Sequence, residues 1–157
     1  MKVYRLVPPK YSGTAFSGEG AFRVGGRWNS PGVRVVYTSS SLSLALLEVL
    51  AYRRALRPLA PRHLYTVTLN ESQVTRLALH DLPETWTHYP HSEPTQRLGD
   101  AWVKAGETLA LAVPSVLAPP ETNLMLNCAH PEFAALKVAG PEAFPINPRL
   151  APDAHPD

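Results

Sequence analysis

The chain has 157 residues, 45% of them hydrophobic and 18% charged, with a net charge of +2. That is enough chain and enough apolar side chain for one folded domain with its own core. It excludes a disordered, highly solvated polymer, and no apolar run approaches the roughly 18–20 residues that cross a bilayer as a helix. The single cysteine, Cys128, excludes an internal disulfide and a cysteine-based zinc cluster; with no signal-like apolar stretch after Met1, the expected location is the cytoplasm.

In chain order, Val3 to Val7 reads as a strand stopped by Pro8-Pro9. Residues 10–32 hold six glycines and read as a long loop, the kind that tends to carry function. Val33 to Thr38 is a β-branched run expected to form a buried strand. Ser39-Ser40-Ser41 offers an N-cap for a helix over Leu42 to Leu56, with Arg53, Arg54 and Arg57 near its C-terminal end. Strands are expected over His63 to Leu69 and Val74 to Leu79, then an irregular excursion over residues 80–92. Glu93 to Gly106 predicts a second helix with Leu98, Ala101, Trp102 and Ala105 on one face. Thr108 to Val113 and Asn123 to Asn127 complete the strands. Five prolines from Pro141 onward divide the chain into a domain over residues 1–140 and a loosely packed tail over 141–157. Seventeen prolines disfavour a helical bundle, and the irregular order of strands and helices predicts an α+β fold.

Charge is uneven. Residues 1–62 carry ten Lys/Arg against two Glu, and residues 63–157 carry five against eleven Asp/Glu. The imbalance suits an anionic ligand, or two halves that neutralise each other in space. There is no Lys/Arg run and no nucleic-acid module, so direct nucleic-acid binding is not expected.

Three features carry chemistry. Glu48 lies in Leu44-Ala45-Leu46-Leu47-Glu48-Val49-Leu50, a helix apolar on nearly all sides, where a carboxylate needs a partner or a cleft. Gly25-Gly26-Arg27-Trp28-Asn29 combines a tight backbone, a planar cationic fork suited to phosphate and a flat apolar ring. Val113-Pro114-Ser115, followed by Glu121, Asn123 and Asn127, sets small polar side chains at a strand end. Ser115 lacks the Gly-x-Ser-x-Gly elbow of a hydrolase nucleophile, so hydrogen bonding is its expected role. The glycines do not complete a dinucleotide or P-loop motif. Pro90 breaks the helical spacing that His88 and His91 would need at a zinc-protease site, so no metal is expected, and Cys128 reads as an inert thiol.

Taken in order, Gly25-Gly26-Arg27-Trp28-Asn29, Val36-Tyr37-Thr38-Ser39, Ala45-Leu46-Leu47-Glu48, Val113-Pro114-Ser115, Glu121-Thr122-Asn123 and Asn127-Cys128-Ala129-His130-Pro131 resemble the RES domain, the toxin half of a bacterial toxin–antitoxin system. Cys128 stands where that family's pattern has a proline. The resemblance implies a compact mixed sheet with flanking helices, similar to ADP-ribosyltransferases of the diphtheria-toxin type. It implies NAD⁺ as substrate rather than as a cofactor, degraded by hydrolysis or phosphorolysis of the nicotinamide–ribose bond, and an Xre-like DNA-binding antitoxin as partner. On that reading Glu48 stabilises the ribose cation and Arg27 holds the diphosphate. Trp28, Tyr37 and Ser39 help bind NAD⁺, Tyr37 by stacking on nicotinamide or ribose, and Ser115 and Asn123 hydrogen-bond the ribose or carboxamide. Other readings are a mono-ADP-ribosyltransferase with a protein target, a nucleotide-binding module without turnover, and a glycoside hydrolase pairing Glu48 with Glu121.

Overall fold

The computed structural model describes residues 1–52 and 60–150. Seven strands form one mixed sheet: β1 (Lys2–Val7), β2 (Val35–Ser39), β3 (Arg62–Thr68), β4 (Val74–Arg76), β5 (Ala110–Pro114), β6 (Thr122–Asn127) and β7 (Lys137–Phe144), in spatial order β4-β5-β6-β2-β1-β3-β7. β4 and β5 run parallel and the other five neighbour pairs in this order are antiparallel. With three α-helices among the described residues, α1 (Glu19–Val24), α2 (Leu42–Ala51) and α3 (Glu93–Ala105), this is the expected α+β fold. No helix among the described residues is long and apolar enough to cross a membrane.

Alternation along β2 builds the core on both sides of the sheet. Val36 joins Val3, Val67, Leu124 and Leu126 on one side. Its neighbour Val35 joins Trp28, Trp102, Leu111, Val113 and Met125 on the other. Tyr37 and Ser39, at steps of two from Val35, therefore point to the Trp28–Trp102 side. Asn123 on β6 pairs directly with Ser39 and also with Val113 on β5, so β2, β5 and β6 bring their polar ends to the same place.

Several expectations are adjusted by packing. The 10–32 segment is not one loop: it contains a 3-10 turn over Pro9–Thr14 and the short helix α1. Helix α2 starts at the predicted Leu42 because the Ser41 hydroxyl accepts from Leu44 N at 3.0 Å; its predicted far end, with the three arginines, lies outside the described residues. Helix α3 buries Thr95, Gly99 and Trp102 while Ala101 and Ala105 stay exposed, so its inward face is rotated from the predicted one. Strand β7 runs through the expected boundary at residue 140, pairing Glu142, Ala143 and Phe144 with Leu64, His63 and Arg62. Pro141 is tolerated there because an edge strand leaves every second N–H facing away from its neighbour. The last seven residues of the expected tail are outside the described residues.

Gly99 explains how α3 lies so close to the sheet. A Cβ at this position would sit 1.7 Å from the Trp28 carbonyl oxygen and 3.0 Å from Met125 Cε. A backbone carbonyl cannot swing away as a side chain can. Gly99→Ala should therefore destabilise the fold by about 3 kcal/mol or more, read as a lower denaturation midpoint. A midpoint equal to that of the parent protein would show that α3 is not held against Trp28 as described.

Candidate active site

Glu48 follows Leu44 and Ala45, the two buried residues of α2, by four and three positions, so its side chain shares their inward face. Its Oε1 accepts from Asn123 Nδ2 at 2.5 Å and from Ser115 Oγ at 3.2 Å. Both donors are themselves oriented. Ser115 Oγ accepts from the amides of Leu117 (3.2 Å) and Ala118 (3.3 Å), which fill its acceptor positions and leave its proton for Glu48. Asn123 Oδ1 accepts from Ser39 Oγ at 2.7 Å, which fixes the amide with its NH₂ toward the carboxylate. One carboxylate oxygen is thus committed to the protein. Among the described residues no donor meets Oε2.

Arg27 projects from a turn closed by Gly26 N donating to Asn29 O at 2.9 Å. Its Nη1 donates to the carbonyls of Trp86 (2.5 Å) and His88 (2.9 Å), both in the 80–92 excursion. Nε and Nη2, which form one bidentate edge, have no protein acceptor among the described residues. Burial lowers the Arg27 pKa from its ordinary value, opposed by Tyr52, Glu48 and Tyr37, so Glu48 lies within its electrostatic reach. The turn is moored to the sheet by Tyr37, whose hydroxyl donates to Asn29 Oδ1 at 2.8 Å and accepts from Trp28 N at 3.3 Å. Burial pushes the Tyr37 phenol upward, so it remains a donor at any physiological pH. Asn29 is fully buried, and its amide donates to the carbonyls of Ala21, Ser30 and Val33.

The sheet therefore brings an anchored carboxylate and a half-anchored guanidinium to one face, joined by Tyr37, Ser39 and Asn123. A separate open groove, lined by Asp81, Leu82, Pro83, Pro94, Arg97 and Leu98, shares no residue with this cluster.

The RES domain profile matches residues 2–147. Toxin Res of Yersinia enterocolitica is 36% identical over 151 residues, spanning 96% of this chain and 99% of the relative. The Prs ADP-ribosylating toxin of a Sphingobium species is 32% identical over 143 residues, spanning 89% of each. The chain belongs to the RES domain family of toxins. The crystal structure of the M. tuberculosis MbcT–MbcA toxin–antitoxin complex contains a chain with the same fold, at a TM-score of 0.71 and 20% identity over 96% of this chain and 86% of that one.

Within this RES domain the expected site residues divide by exposure. Glu48, Arg27, Tyr37 and Asn123 are partly accessible. Trp28, expected to offer a ring to the ligand, is only 4% exposed and packs in the core with Trp102 and Met125. Ser39 and Ser115 are also buried, with hydroxyls committed to Asn123 and Glu48, so they act by orienting those groups. Glu121 does not share the Glu48 hydrogen bonds; its Oε2 accepts from Ser41 Oγ at 2.5 Å at the start of α2. Sequence reasoning missed Gln96 and Asp100. Gln96 Nε2 donates to Gly26 O (3.0 Å) and Asn29 O (3.2 Å), and Asp100 Oδ1 accepts from Ser30 N at 3.0 Å. The signal for them is Gly99: a glycine inside a helix marks a close approach, and these two residues flank it.

Cys128 takes no part in this arrangement. Burial pushes its thiol up to about 11, against weaker opposing effects of Arg34 and Arg5. A raised pKa leaves little thiolate near neutrality, so alkylation by iodoacetamide at pH 8 should run on the order of a hundredfold slower than for a free thiol and accelerate as pH rises toward 11. Fast labelling at pH 8 would mean an exposed or activated thiol instead.

Proposed function

We propose that this RES-domain toxin cleaves the nicotinamide–ribose bond of NAD⁺, and that a protein antitoxin of the Xre-like DNA-binding kind restrains it. The observation that carries the reading is the Glu48 carboxylate, bound at Oε1 by Ser115 and Asn123, on the same sheet face as the turn that carries Arg27. The family and the toxin–antitoxin fold neighbour support the partner.

The chemistry follows from the groups. The diphosphate takes the Nε/Nη2 edge of Arg27, which sets the nicotinamide ribose over α2. As the C1′–N bond breaks, its electron pair goes to the pyridinium nitrogen, which becomes neutral, so departure requires no proton. Positive charge develops on C1′ and the ring oxygen. Glu48 supplies a fixed negative charge there, and its second oxygen can accept a ribose hydroxyl. Because Oε1 is held by two oriented donors, the carboxylate does not have to reorganise as that charge appears. Water, which gives up one proton to solvent, or a phosphate anion then adds at C1′.

A second reading keeps the same bond cleavage and changes only the acceptor. The relative named as an ADP-ribosylating toxin supports transfer of ADP-ribose to a protein side chain.

Nicotinamide release from NAD⁺ by purified protein, with and without phosphate and with and without a bacterial extract, separates the readings. Release without extract is expected; release that requires extract would favour transfer. Glu48→Gln keeps the shape and removes the charge, so it should slow release by a hundredfold or more, on the order of 3 kcal/mol of barrier, with an unchanged melting curve. Near-parent turnover in the folded variant would remove Glu48 from the mechanism.

A further inference from the structure

Arg27 is held at both of its ends by one stretch of chain. At the guanidinium, Nη1 meets the carbonyls of Trp86 and His88. At the backbone, Gln96 Nε2 donates to the carbonyls of Gly26 and Asn29, the two residues that close the turn carrying Arg27. Trp86, His88 and Gln96 lie within eleven residues of one another, spanning the excursion and the first turn of α3. The geometry points to Gln96 as a positioning residue for Arg27, and to segment 86–96 as the cradle that presents its Nε/Nη2 edge to substrate. This assignment rests on the NAD⁺ reading above.

The physical argument is one of pre-organisation. An arginine side chain has several rotatable bonds, and ordering them only on binding would weaken the complex. Here the backbone turn is fixed by Gln96 and the far nitrogen by two carbonyls, so the Nε/Nη2 edge is set before the diphosphate arrives. Gln96 must be a donor at this place, because both atoms it meets are carbonyl oxygens. Asp100 adds a third hold from α3 through Ser30 N, and Gly99 lets the helix come close enough for all of them. Ligand binding is where a loss of Gln96 should register. The bond-breaking step depends on Glu48, whose hydrogen bonds come from Ser115 in the turn after β5 and Asn123 on β6.

The test uses the full chain with Gln96→Met, which keeps length and loses the amide, and Gln96→Glu, which replaces the donor by an acceptor. Expected in both are a rise of about tenfold in KM for NAD⁺ and in Kd for ADP-ribose, with kcat changed by less than about twofold. Inhibition by nicotinamide, which has no phosphate, should be unchanged. A purely structural role would instead lower kcat through loss of folded enzyme and leave KM alone; that result, or unchanged KM in both folded variants, overturns the assignment while the NAD⁺ reading stands. Failure of both variants to fold would make Gln96 a determinant of the fold and also overturns it. If the parent protein neither releases nicotinamide nor binds ADP-ribose, the NAD⁺ reading falls and this assignment with it.

Discussion

The two hydrogen bonds that Glu48 accepts at one oxygen govern how the site is built. A carboxylate on the inward face of an apolar helix is costly unless donors meet it, and those donors must come from elements the helix covers. Here they come from the start of β6 and the turn after β5. Their own orientation requires Ser39 at the end of β2 and two amides after Pro114. Glu121 adds a further tie. Its carboxylate takes the Ser41 hydroxyl that caps α2, and its carbonyl takes Ser115 N, so the start of the helix is fastened to the turn that carries Ser115. The placement of α2 along the sheet and the direction of Glu48 are thus settled by the same few polar groups.

Arg27 is placed by a different set of contacts. Tyr37 reaches up from β2 to Asn29, and α3 reaches across from the other side with Gln96 and Asp100. Gly26 lets the turn close on Tyr37, since a Cβ there would lie 2.7 Å from the phenol oxygen. Tyr37 and Ser39 stand two residues apart on one strand and serve the two halves in turn, the first holding the arginine turn and the second orienting Asn123 toward the carboxylate. The pleat of a single strand therefore links the Arg27 turn and the carboxylate.

Much of this was legible in the sequence where local chemistry was strong. Ser41 announced the start of α2, the β-branched run over 33–38 announced β2, and Glu48 stood out because its helical neighbours are apolar. The ordered motifs disclosed the family. What sequence could not carry was direction across space. Trp28 has the ring a ligand site uses, yet α3 covers it, and only the approach at Gly99 reveals that. Ser115 and Ser39 stand out in the sequence as polar groups for a ligand, but their burial turns them toward Glu48 and Asn123. The excursion over 80–92 looked irregular because its purpose is long-range: it offers two carbonyls to an arginine some sixty residues away. Strand β7 escaped notice because its Gly140-Pro141 reads as a turn, while an edge strand tolerates both.

The central claim is that one NAD⁺ molecule spans Arg27 and Glu48 on this face of the sheet. A crystal structure of the Glu48→Gln protein soaked with NAD⁺ tests it most directly, because that change preserves shape while slowing turnover. The account predicts diphosphate oxygens within hydrogen-bond distance of Nε and Nη2 of Arg27, with the nicotinamide ribose against the side chain at position 48 and the bonds from Arg27 to Trp86 and His88 retained. NAD⁺ bound elsewhere, or bound here with its diphosphate turned away from Arg27, would contradict it.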